Sequence, residues 1–254
     1  MAERYLTLNP AKTEFMWVAS PRRQSLLGDH PIHVSGVDIV PSKAVTVLGV
    51  TIDSALSMES QVAKAVRSAF YYIRQIRHVS SNLPQDAIKG LISALVASRL
   101  DYCNIVYVGL PKIQLDRLQA AFNAAARVVF GERRTCHITP LLESLHWLRI
   151  SERIEFKLCL MVYKAINHLA PQCLVDLCTV DTAQRRPLRS AATSVNKLTE
   201  LNRSNMSRFF ERAFAVAGPV CWNRLPVEVR ENQSIMSFRG KMKTALFSKS
   251  FSRP

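Results

Sequence analysis

Phosphoryl transfer by paired metal ions needs several carboxylates converging on one point, and this sequence keeps its carboxylates apart. No two Asp or Glu are adjacent. Asp38, Asp53, Asp101, Asp116 and Asp176 fall in separate predicted elements, mostly as cap, turn or surface residues. There is no GxSxG, no HExxH and no phosphate-cradling glycine loop, and only eight glycines in all. One stretch, SRLDYCNIVYVGLP (98–111), sets Asp101, Tyr102 and Cys103 side by side. Its spacing supplies neither a base nor an oxyanion donor. It follows an apolar helix and runs into a Gly-Leu-Pro turn, so the expectation is a helix end anchored by Arg99 or Asp101. Cys136, His137 and His146 invite a zinc reading, but closed zinc sites draw four ligands from recognisable pairs, and no second pair stands at such spacing. The six cysteines, without a secretory context, are expected to be free and buried.

The cations say more than the acids. Thirty-four Lys and Arg face 19 Asp and Glu, a net charge of +15. Cations placed near phosphates release condensed counterions, so an excess spread along the chain points to nucleic acid over a merely soluble basic protein. In SMESQVAKAVRSAFYYIRQIRHV the residues Val62, Ala65, Val66, Ala69, Ile73 and Ile76 share a helical face. Lys64, Arg67, Arg74 and Arg77 fall on its flank with no acid among them. Such a flank is either a solvated face or a phosphate-contacting one. A second cluster, Arg185, Arg186 and Arg189, surrounds the helix-breaking Pro187 in a segment (180–205) that reads as a mobile basic connector.

The elements that must position these residues are mainly helical, and the predicted class is α+β with helices dominant. The first fifty residues carry the strand-like segments TEFMWVAS, PIHVSGVDIV and AVTVLGVTI between Pro, Gly and Ser turns. They predict a small antiparallel meander ending near Asp53, with a tight turn at Ser35-Gly36. Helices follow with Ser57 as an N-cap, with Pro84 and Pro111 at first turns, and with Gly131 as a C-terminal stop. Beyond them come a short helix capped by Thr139 and a long one capped by Ser151. The latter faces Ile154, Leu158, Val162, Ala165, Ile166 and Leu169 inward. Short helices, including SIMSFRGKMKTALF, close the chain. The start lacks a hydrophobic signal region, and the longest apolar run, LISALVA (91–97), is too short to span a bilayer. An intracellular, cytoplasmic or nuclear, protein that is not secreted and has no membrane partner is expected.

Eight blocks in order carry a resemblance: LNPAKTEFMWVAS, VTVLGVTIDSALSM, SRLDYCNIVYVGLP, LQAAFNAAARVVFG, HITPLLESLHWLRISERIEFKLCLMVYKAI, PLRSA, RAFAVAGPVCWNRLP and SFRGKMKTALF. The series resembles the carboxy-terminal part of the reverse transcriptase of LINE-type (non-LTR) retrotransposons, in the jockey and chicken-repeat-like group. The resemblance implies that 1–54 is residual palm and primer grip, 55–131 a helical thumb, and 132–254 a post-thumb tail. It implies that Lys12 is a vestige of a proton donor to the pyrophosphate leaving group. It also implies that Leu48 and Gly49 belong to the primer-gripping hairpin, and that the thumb lies along an RNA/DNA template–primer duplex. Mg²⁺ is the cofactor of the intact family. The paired metal-binding aspartates are not in this chain, so no cofactor, no small-molecule substrate and no polymerase activity are expected of it alone. The chain departs from the family's pattern at Arg149, Cys173 and Phe210, which implies a loosened tail. The expected function is therefore that of a truncated reverse transcriptase with residual template–primer binding. The alternative is a helical protein-interaction module or an inactive pseudogene fragment.

Overall fold

Turn chemistry shapes the start of the chain. The computed structural model describes residues 8–178, 197–200 and 210–251. These residues fall into two compact units that divide between Ala65 and Val66. In the first unit Ser35 and Gly36, with φ of 48° and 84°, form the expected tight turn between β1 (Ile32–Val34) and β2 (Val37–Ile39). Ile32 pairs with Ile39, and His33 Nδ1 meets Asp38 Oδ1 across the strands at 2.8 Å. A second hairpin joins β3 (Ala44–Val47) to β4 (Val50–Asp53). The two hairpins are separate two-stranded sheets rather than one meander.

The first strand-like segment differs from expectation. Residues 13–20 belong to no helix or strand and form no ladder. Apart from bonds at their two ends to the adjoining 3₁₀ turn and helix, their backbone makes two isolated backbone–backbone bonds, Ser42 N–H to Phe15 O at 2.8 Å and Ala19 N–H to Ser54 O at 3.2 Å. Apolar composition supplied strand propensity, but no partner strand continues the register. Asn9 instead caps a single 3₁₀ turn, Pro10–Lys12, accepting the Ala11 N–H at 3.0 Å. Helix α1 (Pro21–Leu27), whose few apolar residues gave no periodic signal, follows and stops at Gly28.

Helix α2 (Glu59–Val79) begins beneath the second hairpin. Asp53, the last residue of β4, accepts from Ser57 N–H at 2.8 Å and from Met58 N–H at 2.7 Å. Ser57 Oγ accepts the Glu59 N–H at 3.3 Å. Strand end and helix start are thus joined by one carboxylate, which also suits the positive end of the helix dipole. Val62, Ala65, Ala69, Ile73 and Ile76 are buried as their period requires, while Val66 is half-buried.

In the second unit Pro84 precedes α3 (Gln85–Ile92), which continues through a π-helical turn (Ser93–Ala97) into α4 (Ser98–Asp101). A 3₁₀ turn (Asn104–Tyr107) leads to α5 (Lys112–Phe130), which ends at Gly131 with φ 67°. There Glu132 N–H reaches Arg127 O at 2.9 Å, closing the last turn as a left-handed glycine allows. Next come α6 (Ile138–Leu145), α7 (Ile150–Ile166) and α8 (Gln172–Val175). The chain closes with α9 (Phe214–Asn223), α10 (Val227–Arg230) and α11 (Ile235–Phe251).

Helices α7, α9 and α11 share a core in which the Tyr163 ring stacks on Phe238 at 4.4 Å and Trp222 lies 5.7 Å from Phe238. The Tyr163 hydroxyl donates to Gln233 O at 2.8 Å. Packing is continuous across residue 131. Phe122 of α5 lies 5.1 Å from Trp147, and Gln119 Oε1 accepts the Ile150 N–H at 2.8 Å. Leu169, expected to face inward, is 60% exposed, because α7 ends at Ile166 and the periodicity stops with it.

Candidate nucleic-acid interface

The isolated acids of the sequence each have a structural occupation. Asp38 pairs with His33, Asp53 caps α2, and Asp116 meets the Lys112 ammonium at 3.0 Å. Asp176 accepts from Gln172 Nε2 at 2.7 Å. Asp101 accepts from Arg153 Nε at 2.8 Å, forms a second bond to Arg153 Nη2, and accepts from Asn104 Nδ2 at 3.2 Å. It anchors the end of α4 as expected. Among the described residues no group of three or more His, Cys, Asp or Glu is placed to hold a metal ion.

Cations behave differently. Arg67, Arg74 and Arg77 all stand exposed on α2, whose one acid, Glu59, lies in its first turn. None of the three arginines has an ion-pair partner among the described residues. Tyr71, 50% exposed, stands on the same face one turn from both Arg67 and Arg74, and His78 continues the row. Positions 67, 71, 74 and 78 therefore form an exposed basic and aromatic stripe opposite the buried Ala69, Ile73 and Ile76. Arg77 lies closer to the buried edge than the other cations.

Tyr71 is held from behind. Its ring meets Tyr72 edge-on at 5.1 Å, and the Arg99 guanidinium covers Tyr72 at 4.1 Å while donating to its hydroxyl at 3.0 Å. Arg99 also donates to Leu95 O at 3.0 Å, so its position comes from the π-helical turn. The sequence reading missed Tyr71, His78 and this support. The signal lies in the spacing 67, 71, 74, 78, which places an aromatic residue and a histidine in one row with two arginines.

The remaining predicted residues lie elsewhere. Lys64 belongs to the first unit, where its Nζ donates to Gly49 O at 3.4 Å. Gly49 and Leu48 form the two-residue tip of the β3–β4 hairpin, with φ of 80° and 49°. Leu48 is 85% exposed there, an apolar side chain presented on a left-handed backbone that L-residues adopt at a cost of about 1 kcal/mol. Gln61 Oε1 fixes the hairpin by accepting the Thr51 N–H at 3.0 Å. Lys12 is exposed at the end of the Pro10–Lys12 turn. Arg185, Arg186 and Arg189 lie outside the described residues.

Of three further positions singled out in the sequence, Arg149 donates to Thr139 Oγ1 at 3.3 Å, and Cys173 and Phe210 are exposed. No helix among the described residues is long and apolar enough to cross a membrane. No family model, no curated protein and no solved structure matches the chain.

Proposed function

We propose that this chain is part of an RNA-directed DNA polymerase of the LINE type, and that it binds a template–primer duplex through the exposed face of α2 without carrying out nucleotide addition. The observation that supports this reading most is the stripe formed by Arg67, Tyr71, Arg74 and His78, basic, aromatic and free of acids. Guanidinium groups present planar forks that match phosphate oxygens, and such contacts position a protein on a duplex without reading its sequence. An exposed tyrosine between two arginines adds a ring to pack against sugar or base. The ordered sequence blocks supply the polymerase part of the reading, and the separated carboxylates supply the absence of chemistry.

The test is fluorescence anisotropy of the full chain with a primed RNA–DNA hybrid over a salt series, alongside single-nucleotide extension with Mg²⁺. Binding at 50 mM salt that weakens steeply by 200 mM is expected, with no extension. Absence of binding at low salt would remove the duplex reading, and robust extension by the purified chain would overturn the non-catalytic one.

A further inference from the structure

Two of the six cysteines meet although 62 residues separate them. Cys159 on α7 and Cys221 on α9 place their sulfurs 3.2 Å apart. A disulfide bond is ~2.05 Å long, so a small approach of the side chains would close the gap. The two thiols are not equivalent. Cys159 is fully buried, whereas Cys221 is half-buried and lines a cavity of about 370 Å³ bounded by Tyr107, Glu155, Leu158, Val220 and Arg224. We propose that Cys221 and Cys159 form an oxidation site, in which a hydroperoxide entering this cavity converts the thiol pair into a disulfide joining α7 to α9.

The asymmetry sets the order of events. The hydrogen bond to Cys221, and then burial, push the Cys159 thiol well up, so it remains protonated and waits. The Glu155 carboxylate, paired with Lys249 at 2.9 Å, pushes the Cys159 thiol further up, and the Lys249 ammonium offsets only part of that effect. The Cys221 sulfur attacks one oxygen of the hydroperoxide as its own proton departs. An S–O bond forms, the O–O bond breaks, and the other oxygen leaves as an alcohol or water after taking up a proton. Cys159 sulfur then attacks the Cys221 sulfenic acid, the S–S bond forms, and the hydroxyl leaves as water with the Cys159 proton. Two electrons pass from the thiols to the peroxide. The other thiols are differently placed, with Cys103 and Cys173 exposed, Cys178 buried and Cys136 half-buried.

The bond would close a long loop between two core helices, which restricts the unfolded chain and raises thermal stability. The test treats the full chain with hydrogen peroxide, alkylates the remaining thiols and maps the digest by mass spectrometry. A peptide pair linking Cys159 to Cys221, two hydrogens lighter and released by dithiothreitol, is expected, with a Tm several degrees above that of the reduced protein. Cys221→Ser, at the half-buried position, keeps the reduced Tm and loses the peroxide-induced rise. Three outcomes would overturn the proposal. They are Cys159 still alkylated in full after oxidation and unfolding, Cys221 recovered only as sulfinic acid, or the same Tm rise in Cys221→Ser.

Discussion

Asp101 joins two distant stretches of chain: one carboxylate oxygen takes Arg153 Nε and Asn104 Nδ2, and the other takes Arg153 Nη2. Both side chains are only about a quarter exposed (22% and 23%), and the guanidinium also lies 4.9 Å over the Phe122 ring. Removing the acid leaves a half-buried cation with no carboxylate, which costs more than the net worth of the pair. Asp101→Ala is expected to lower unfolding free energy by about 2 kcal/mol, and Arg153→Met in the same background to recover part of it. Urea midpoints of the single and double variants check this, and additive losses would count against coupling. Gly109 is constrained differently. Its φ is 68°, and a Cβ there would stand 2.7 Å from Arg212 Cγ, whose guanidinium bonds Val108 O at 3.0 Å and Val106 O at 3.3 Å. Gly109→Ala should destabilise by about 1–2 kcal/mol, from left-handed strain and the displaced arginine together. Thermal unfolding of Gly109→Ala with and without Arg212→Ala separates the two contributions.

Helices α2 and α5 were legible in the sequence because their apolar positions recur with the helical period and their ends carry local signals, Gly131 above all. Starts were less legible where another element supplies the cap. Ser151 looked like the cap of α7, but the helix begins at Ile150, whose N–H is taken by Gln119 of α5. Thr139-Pro140 looked like a cap followed by the first helical residue. Both lie inside the first turn of α6, where proline's missing N–H is no loss, and Thr139 accepts from Arg149 instead. The α7 core also carries a pH dependence. Burial pushes the Tyr163 phenol up, and the hydrogen bond to Glu155 pushes the Lys249 ammonium up. Both groups hold their protons more tightly when folded, so their contribution is complete below the unfolded values of about 10 and 10.4. It is lost as pH rises from there through the folded values. Urea midpoints are expected to be flat for this pair up to about pH 9.5 and to fall at higher pH. The fall should be shallower in Lys249→Met, and an equal fall in that variant would refute the assignment.

The whole molecule carries +15, and that charge alone would draw it to any polyanion, so an interface on α2 must show itself against a background of general attraction. The contrast lies in where two charges are removed. Arg67→Ala/Arg74→Ala and Arg239→Ala/Lys243→Ala each lower the net charge by two from exposed helical positions, the first pair on α2 and the second on α11. Neither pair fills the core, so thermal midpoints should hold in both. If the α2 stripe contacts phosphates, the first pair should flatten the plot of log affinity against log salt by about 2, since each phosphate contact contributes ~0.9. The second pair should leave that slope alone. Tyr71→Ala should weaken binding about fivefold or more while keeping the wild-type slope, because lost ring stacking releases no counterion. Anisotropy titrations at four salt concentrations give all three slopes. Equal flattening by the α2 pair and the α11 pair would assign the binding to net charge, and would leave α2 as an ordinary solvated helix.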